Sequence, residues 1–241
     1  MKAAILLVEG LTEEILYSTL LKRLYGAKQV GLEELPKTLR ELVSPLGERI
    51  NCFIRRNGYV ILINCGGFEG LRVAMRHLLK RGELKEVVRE FELHLVIAAD
   101  KDKNPLESLR GLLSSMNAKV ESVMGRILVT ELLRGIKVRI HVLEQGVSGE
   151  GATGEIEDEL GKLIEIGKPE LQSAVRSVEE VLHTTLTSKQ KLLIYLALLN
   201  PKIKTRLLSR ALKEVLTEID VDVIRHGLQD ILKNLEEVLR T

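Results

Sequence analysis

An α/β fold, with a mostly parallel sheet flanked by helices and a helical C-terminal region, is predicted by three features of the sequence. Two continuous apolar runs, AAILLV at 3–8 and LHLVIAA at 93–99, read as strands buried on both faces. Strand and helix patterns alternate as far as residue 143, the order expected of a sheet with crossover helices. From residue 155 onward every segment carries helical periodicity.

The elements follow in order. Residues 3–8 form the first strand. Thr12 opens an amphipathic helix, with Glu13 and Glu14 in its dipole-favoured first turn and Leu16, Leu20 and Leu24 along one face. A second helical stretch over 31–43 ends before Pro45. Strands are predicted near 49–55 and 59–64, because Asn57-Gly58 tolerates the positive φ of a two-residue hairpin turn. Gly66, Gly67 and Gly70 make a tight turn into a helix over 69–81. The strand at 93–99 comes next, then a helix near 105–117. Residues 119–134 fit helix and strand equally, whereas IKVRIHVL at 136–143 alternates as a strand should. Helices are expected over 155–166, 169–184, 188–199, 203–217 and 220–239, with Pro169 in a first turn and Pro201 as a separator. The boundary is set at 166: an α/β domain over 1–166, with its hairpin near 49–64, and a helical region over 167–241.

Composition narrows the function classes. With 241 residues the chain can bury a sizeable core. A net charge of +2 makes any nucleic-acid surface a local one. No apolar run reaches membrane-spanning length and the N-terminus lacks a signal-peptide layout, so a cytoplasmic protein without a membrane partner is expected. Two cysteines, Cys52 and Cys65, are too few for a disulfide framework or a structural zinc site. Aromatics are scarce, while Lys, Arg and Glu are abundant and Asn and Gln sparse. That balance is compatible with a thermophilic source.

The chemistry concentrates where the two apolar runs end. The first delivers Glu9 and the second delivers Asp100 and Asp102. Open α/β sheets bind ligands at the carboxyl ends of their strands. Two carboxylates about 4 Å apart repel by about 4 kcal/mol at an effective dielectric of ~20, so such a cluster takes up protons or a cation. Oxygen-only ligands favour Mg²⁺ or Mn²⁺ over zinc. The plainer reading of acids at strand ends is solvation, and for Glu9 alone it has equal standing.

VEG at 8–10 opening a helix, with DKD at 100–102 after an apolar strand, resembles a TOPRIM domain. This Rossmann-like module is shared by topoisomerases, bacterial-type primases, RNA-maturation nucleases and OLD-family nucleases. The form VEGLTEE is most similar to the small archaeal TOPRIM-like and OLD-family proteins. The resemblance spans roughly residues 1–165. It implies that Glu9 is a general acid/base and that Asp100 and Asp102 bind the metal. It also implies a further downstream acid, for which Glu155, Glu157 and Asp158 are candidates and Asp158 is favoured. The sequence departs from the pattern in DKDKNP, which lacks the customary glycine and sets Lys101 and Lys103 beside the acids. Topoisomerase tyrosine regions, primase-type zinc segments and a Walker sequence have no counterpart.

Other signals are weaker. GEGATGE spells G-x-G-x-x-G with Gly149, Gly151 and Gly154, but the following helix opens with Glu155, Glu157, Asp158 and Glu159, which would repel a pyrophosphate. His77, His94, His141, His183 and His226 lack metal-ligand spacing, and Ser148 and Thr153 lack a base partner. Lys202, Arg206, Arg210 and Lys213 recur at near-helical spacing and offer a phosphate-tracking face, although a solvated helix surface accounts for them too. Leu207, Leu208, Leu212, Val215 and Leu216 make the same region apolar enough to pack within itself or to form a homodimer contact.

The first reading is therefore a Mg²⁺- or Mn²⁺-dependent nuclease on DNA or RNA. Asp100, Asp102 and Asp158 would hold metal, Glu9 would handle protons, and Lys101, Lys103, Arg206 and Arg210 would contact the backbone. The alternative is a TOPRIM-like nucleic-acid-binding or scaffold protein without turnover. A third is a small-molecule nucleotide or phosphate hydrolase using the same acids.

Overall fold

A computed structural model gives the fold, and it describes residues 1–47, 49–56, 58–124, 127–132, 135–146, 154–199 and 208–240. Two compact units divide the chain. The first comprises Met1–Ala99, Lys103–Glu144 and the stretch from Leu235, and the second comprises Asp100–Asp102 and Gln145–Asn234.

The first unit is built on the sheet. In chain order its elements are β1 (Lys2–Val8), α1 (Leu11–Arg23), β2 (Lys28–Val30), α2 (Lys37–Val43), β3 (Ile50–Arg55) and β4 (Gly58–Asn64). Then come α3 (Phe68–Lys80), α4 (Glu83–Glu90), β5 (Glu92–Asp100), α5 (Pro105–Ser115), β6 (Lys119–Met124), β7 (Ile127–Leu132) and β8 (Ile136–Gln145). The eight strands lie in the order β2-β3-β4-β1-β5-β8-β7-β6. β1 pairs in parallel with both β4 and β5, while β2–β3, β3–β4, β6–β7 and β7–β8 are antiparallel. The sheet is thus mixed, parallel at its centre and antiparallel in these outer pairs. Short connections join β3 to β4, β6 to β7 and β7 to β8, a longer one carrying α2 joins β2 to β3, and parallel neighbours need crossovers.

β1 and β5 sit at the centre because both of their faces are apolar. Ala3, Ile5 and Leu7 join Ile61, Ile63, Leu93, Leu95, Ile97 and Ala99 in one core. Leucines of α2, α3, α4 and α5 cover this face, each fully buried side chain contributing about 1.5–3 kcal/mol. Leu16, Leu20 and Leu21 of α1 are buried outside that cluster, and α1 packs on β4. The ambiguous stretch at 119–134 contains β6 and β7. Asn57, the first residue of the expected hairpin turn, lies outside the described residues, and the strands flanking it pair antiparallel as a hairpin's do.

β5 and β8 are sheet neighbours, and they bury His94 against His141 with Nδ1···Nε2 at 2.9 Å. Burial lowers His141 from 6.5 to about 4, helped by His94 and Arg139, and burial likewise lowers His94 against the opposing pull of Glu92. Both rings are therefore folded in the neutral state. The unfolded chain takes up the proton first, so this contribution is complete above pH 6.5 and declines toward pH 4. For His141 the loss amounts to about 3 kcal/mol. Urea unfolding at pH 7 and pH 4.5 should show a smaller pH effect in His141→Gln than in the parent protein, and equal slopes would refute the assignment.

The second unit is helical: α6 (Ile156–Gly167), α7 (Glu170–Leu182), α8 (Ser188–Leu199), α9 (Leu208–Glu218), α10 (Val221–Gly227) and most of α11 (Gln229–Arg240). α6 packs against α7, α8 and α10, with Leu160, Leu163, Ile164, Tyr195 and Ile224 buried. The single helix expected over 220–239 is two, α10 starting from an Asp220 cap that accepts from the Asp222 N–H at 2.7 Å. α6, placed with the sheet in the sequence reading, falls in the helical unit.

Candidate functional site

In the first unit, β1 runs parallel to β5 with Val8 opposite Ala98. Glu9 follows β1 directly and is buried. Its carbonyl accepts the Gly67 N–H at 2.6 Å, while the Val8 carbonyl accepts the Cys65 N–H at 2.9 Å. The glycine turn is thereby fastened to the end of β1, with Gly66 at φ +72° and Gly67 at φ +121°, values that L side chains rarely adopt. Nearby, Glu14 accepts from the Asn51 amide at 2.8 Å and from the Asn64 amide at 2.7 Å. Asn64 in turn accepts the Gly66 N–H at 3.0 Å. Sequence reasoning had placed Glu14 only as a helix-start acid. Its two asparagine partners come from β3 and β4, and no local spacing signals them.

In the second unit, the segment after β5 meets the start of α6. Asp100 is 8% exposed, and its Oδ1 accepts the Ile156 N–H at 2.9 Å. Lys101–Lys103 forms a single 3-10 turn on which Asp102 and Lys103 are exposed. The Lys101 N–H donates to the Gly154 carbonyl at 3.0 Å. So the last glycine of the G-x-G-x-x-G decoy lies against the aspartate segment, while Gly149 and Gly151 are outside the described residues. Asn104, next in sequence, sits in the left-handed region at φ 47°. Asparagine tolerates this better than most residues, and it brings the chain into α5 without the glycine that DKDKNP lacks.

Asp158 lies in the first turn of α6. Its Oδ2 accepts from the Gly154 N–H at 2.9 Å and the Glu155 N–H at 3.2 Å, and its Oδ1 accepts from the Ser188 hydroxyl. Asp158 therefore secures the N-terminus of α6. Lys189 pairs with Glu155 at 2.9 Å and lies in the field of Glu157 and Asp100, which together hold its ammonium above the usual lysine range. Burial pushes the Glu157 and Glu159 carboxyls upward. Ser188 and Lys189 were missed in the sequence because they open a distant helix. Only the fold brings them to the acids.

Arg210 is exposed on α9 and pairs with Glu214 at 2.9 Å. Arg206 lies outside the described residues. Among the described residues, no three His, Cys, Asp or Glu side chains form a group that could hold a metal ion. Burial pushes the Cys52 thiol up to about 11 and the Cys65 thiol up to about 12, far from the range of a reactive thiolate. No described helix is long and apolar enough to cross a membrane.

No protein-family model and no curated protein sequence matches the chain. Among solved structures, the crystal structure of hypothetical protein PH0156 from Pyrococcus horikoshii OT3 is similar to it, with 20% sequence identity and a TM-score of 0.76. The match covers 99% of this chain and 100% of that one. Likeness at this identity is one of fold: both chains share an α/β architecture.

Proposed function

We propose that the chain is a TOPRIM-like, Mg²⁺- or Mn²⁺-dependent phosphodiester-processing protein, a nuclease on DNA or RNA. The observation that carries this reading is the parallel pairing of β1 with β5, one strand followed by Glu9 and the other ending in Asp100. The donor set fits a hard cation. Asp100 and Asp102 offer only oxygen, and Mg²⁺ is commonly held by one or two carboxylates together with water and substrate phosphate.

In this reading Asp100 and Asp102 hold the ion, with Asp158 behind them securing the loop at Gly154. Bound metal would acidify a water and stabilise the leaving oxygen. Glu9 takes or returns a proton, and Lys101, Lys103 and Arg210 attract the phosphate backbone.

A second reading has its own support. The hydrogen bonds of Asp100 and Asp158 already serve the start of α6, which suits a TOPRIM-like binding or scaffold protein without turnover. Incubation with single- and double-stranded DNA and RNA, with Mg²⁺, Mn²⁺ or EDTA, separates the two. The nuclease reading predicts metal-dependent cleavage that falls at least ~100-fold in the Asp100→Ala/Asp102→Ala protein. Binding without cleavage supports the scaffold.

A further inference from the structure

At the amino ends of the parallel strands, the first unit contains a cavity of about 340 Å³. It is lined by Lys2 and Ala4 of β1, Arg55 and Arg56 before β4, His94 of β5, and Val238 of α11. We infer that this cavity is a binding site for a small organic phosphate monoester, separate from the acidic strand ends.

Charge is the first argument. Among the described residues no carboxylate pairs with Arg55 or Arg56. Arg55 instead donates to the Leu239 carbonyl at 2.9 Å and lies over the Tyr25 ring, its carbon 5.5 Å from the centroid. Those contacts position the guanidinium without neutralising it. Lys2 lies 3.8 Å from Glu92, a carboxylate that also takes Arg139 at 2.9 Å. Two guanidinium groups without a carboxylate partner among the described residues, together with a shared ammonium, match a dianion better than a single carboxylate.

The second argument is the buried imidazole. His94 lines the cavity at 1% exposure, and its Nε2 has no hydrogen-bond partner among the described residues. Glu92 Oε1 lies 3.6 Å from it, beyond a good hydrogen bond. Buried polar atoms are seldom left unmatched, and a ligand oxygen would satisfy this one. Ala4, Val60 and Val238 provide an apolar wall for the organic part. The volume lies at the low end of the ~300–1,000 Å³ typical of small-molecule sites, which suits one compact molecule.

Calorimetric titration with phenyl phosphate, benzoate and inorganic phosphate tests the assignment. Phenyl phosphate should bind with one-to-one stoichiometry, more tightly than the other two. Arg56→Gln, an exposed position, should weaken it at least tenfold without moving the thermal midpoint, and Lys2→Gln should weaken it as well. The ring resonances of His94 should shift on binding. No binding of phenyl phosphate at millimolar concentration would overturn the inference. So would equal affinity for benzoate, unchanged affinity in both variants, or an unmoved His94 ring. Cleavage at the opposite strand ends need not change in either variant, so this inference and the proposed function can fail separately.

Discussion

Alanine in place of Gly70 is expected to destabilise the fold by about 3 kcal/mol or more. A Cβ at this position would lie 1.9 Å from the Cys65 carbonyl oxygen and 3.0 Å from its carbon. Both obstacles are backbone, so no rotamer change relieves the clash. Retreat of the loop is also opposed. The Cys65 N–H is bound to Val8 and the Gly67 N–H to Glu9, so movement would break the two bonds that fasten the glycine turn to β1. Urea unfolding gives the measurement. A loss under about 1 kcal/mol would mean that the turn yields easily and that Glu9 is less firmly held than these contacts indicate.

The two central aspartates should behave differently on mutation. Removing Asp100 leaves the buried Ile156 N–H without its acceptor, at a cost of about 1–3 kcal/mol. Asp100→Asn retains an oxygen there and should recover much of the loss. Asp102 is exposed on its short turn, and Asp102→Ala should stay within about 0.5 kcal/mol of the parent. Metal affinity should fall in both alanine variants, by at least about 10-fold. Parallel unfolding and metal-binding curves separate the structural part of Asp100 from its proposed ligand part. If Asp100→Ala loses only stability and keeps its metal affinity, Asp100 is a helix-start anchor and nothing more.

Legibility in the sequence followed burial. β1 and β5 are apolar on both faces, and their runs could be read directly. The alternating β8 could be read as well. β2 could not, because its three residues are exposed or half-buried and carry no period. α4 was missed because it buries only Leu84 and Val87 over eight residues. The stretch holding β6 and β7 gave no decisive period, and it is pairing along β7 and β8 that makes it sheet.

The acids themselves could be read as strand-end carboxylates. Their partners could not. Asp100 to Ile156, Asp158 to Ser188 and Glu14 to Asn64 are bonds between residues far apart in the chain, set by topology rather than by spacing. Lys2, Arg55 and Arg56 carry no spacing that singles them out in the sequence, and the fold gathers them around one cavity. His94 and His141 lie within strand patterns and lack metal-ligand spacing. Their pairing needed the adjacency of β5 and β8.

The central claim is that the aspartate segment after β5 binds a divalent cation. Mn²⁺ binding followed by electron paramagnetic resonance tests it most directly, because the bound and free ion give distinct signals. The account predicts bound Mn²⁺ that Mg²⁺ displaces, and at least ~10-fold weaker binding in Asp102→Ala with an unchanged unfolding midpoint. No bound ion in the parent protein at millimolar Mn²⁺, or equal binding in the variant, would contradict it.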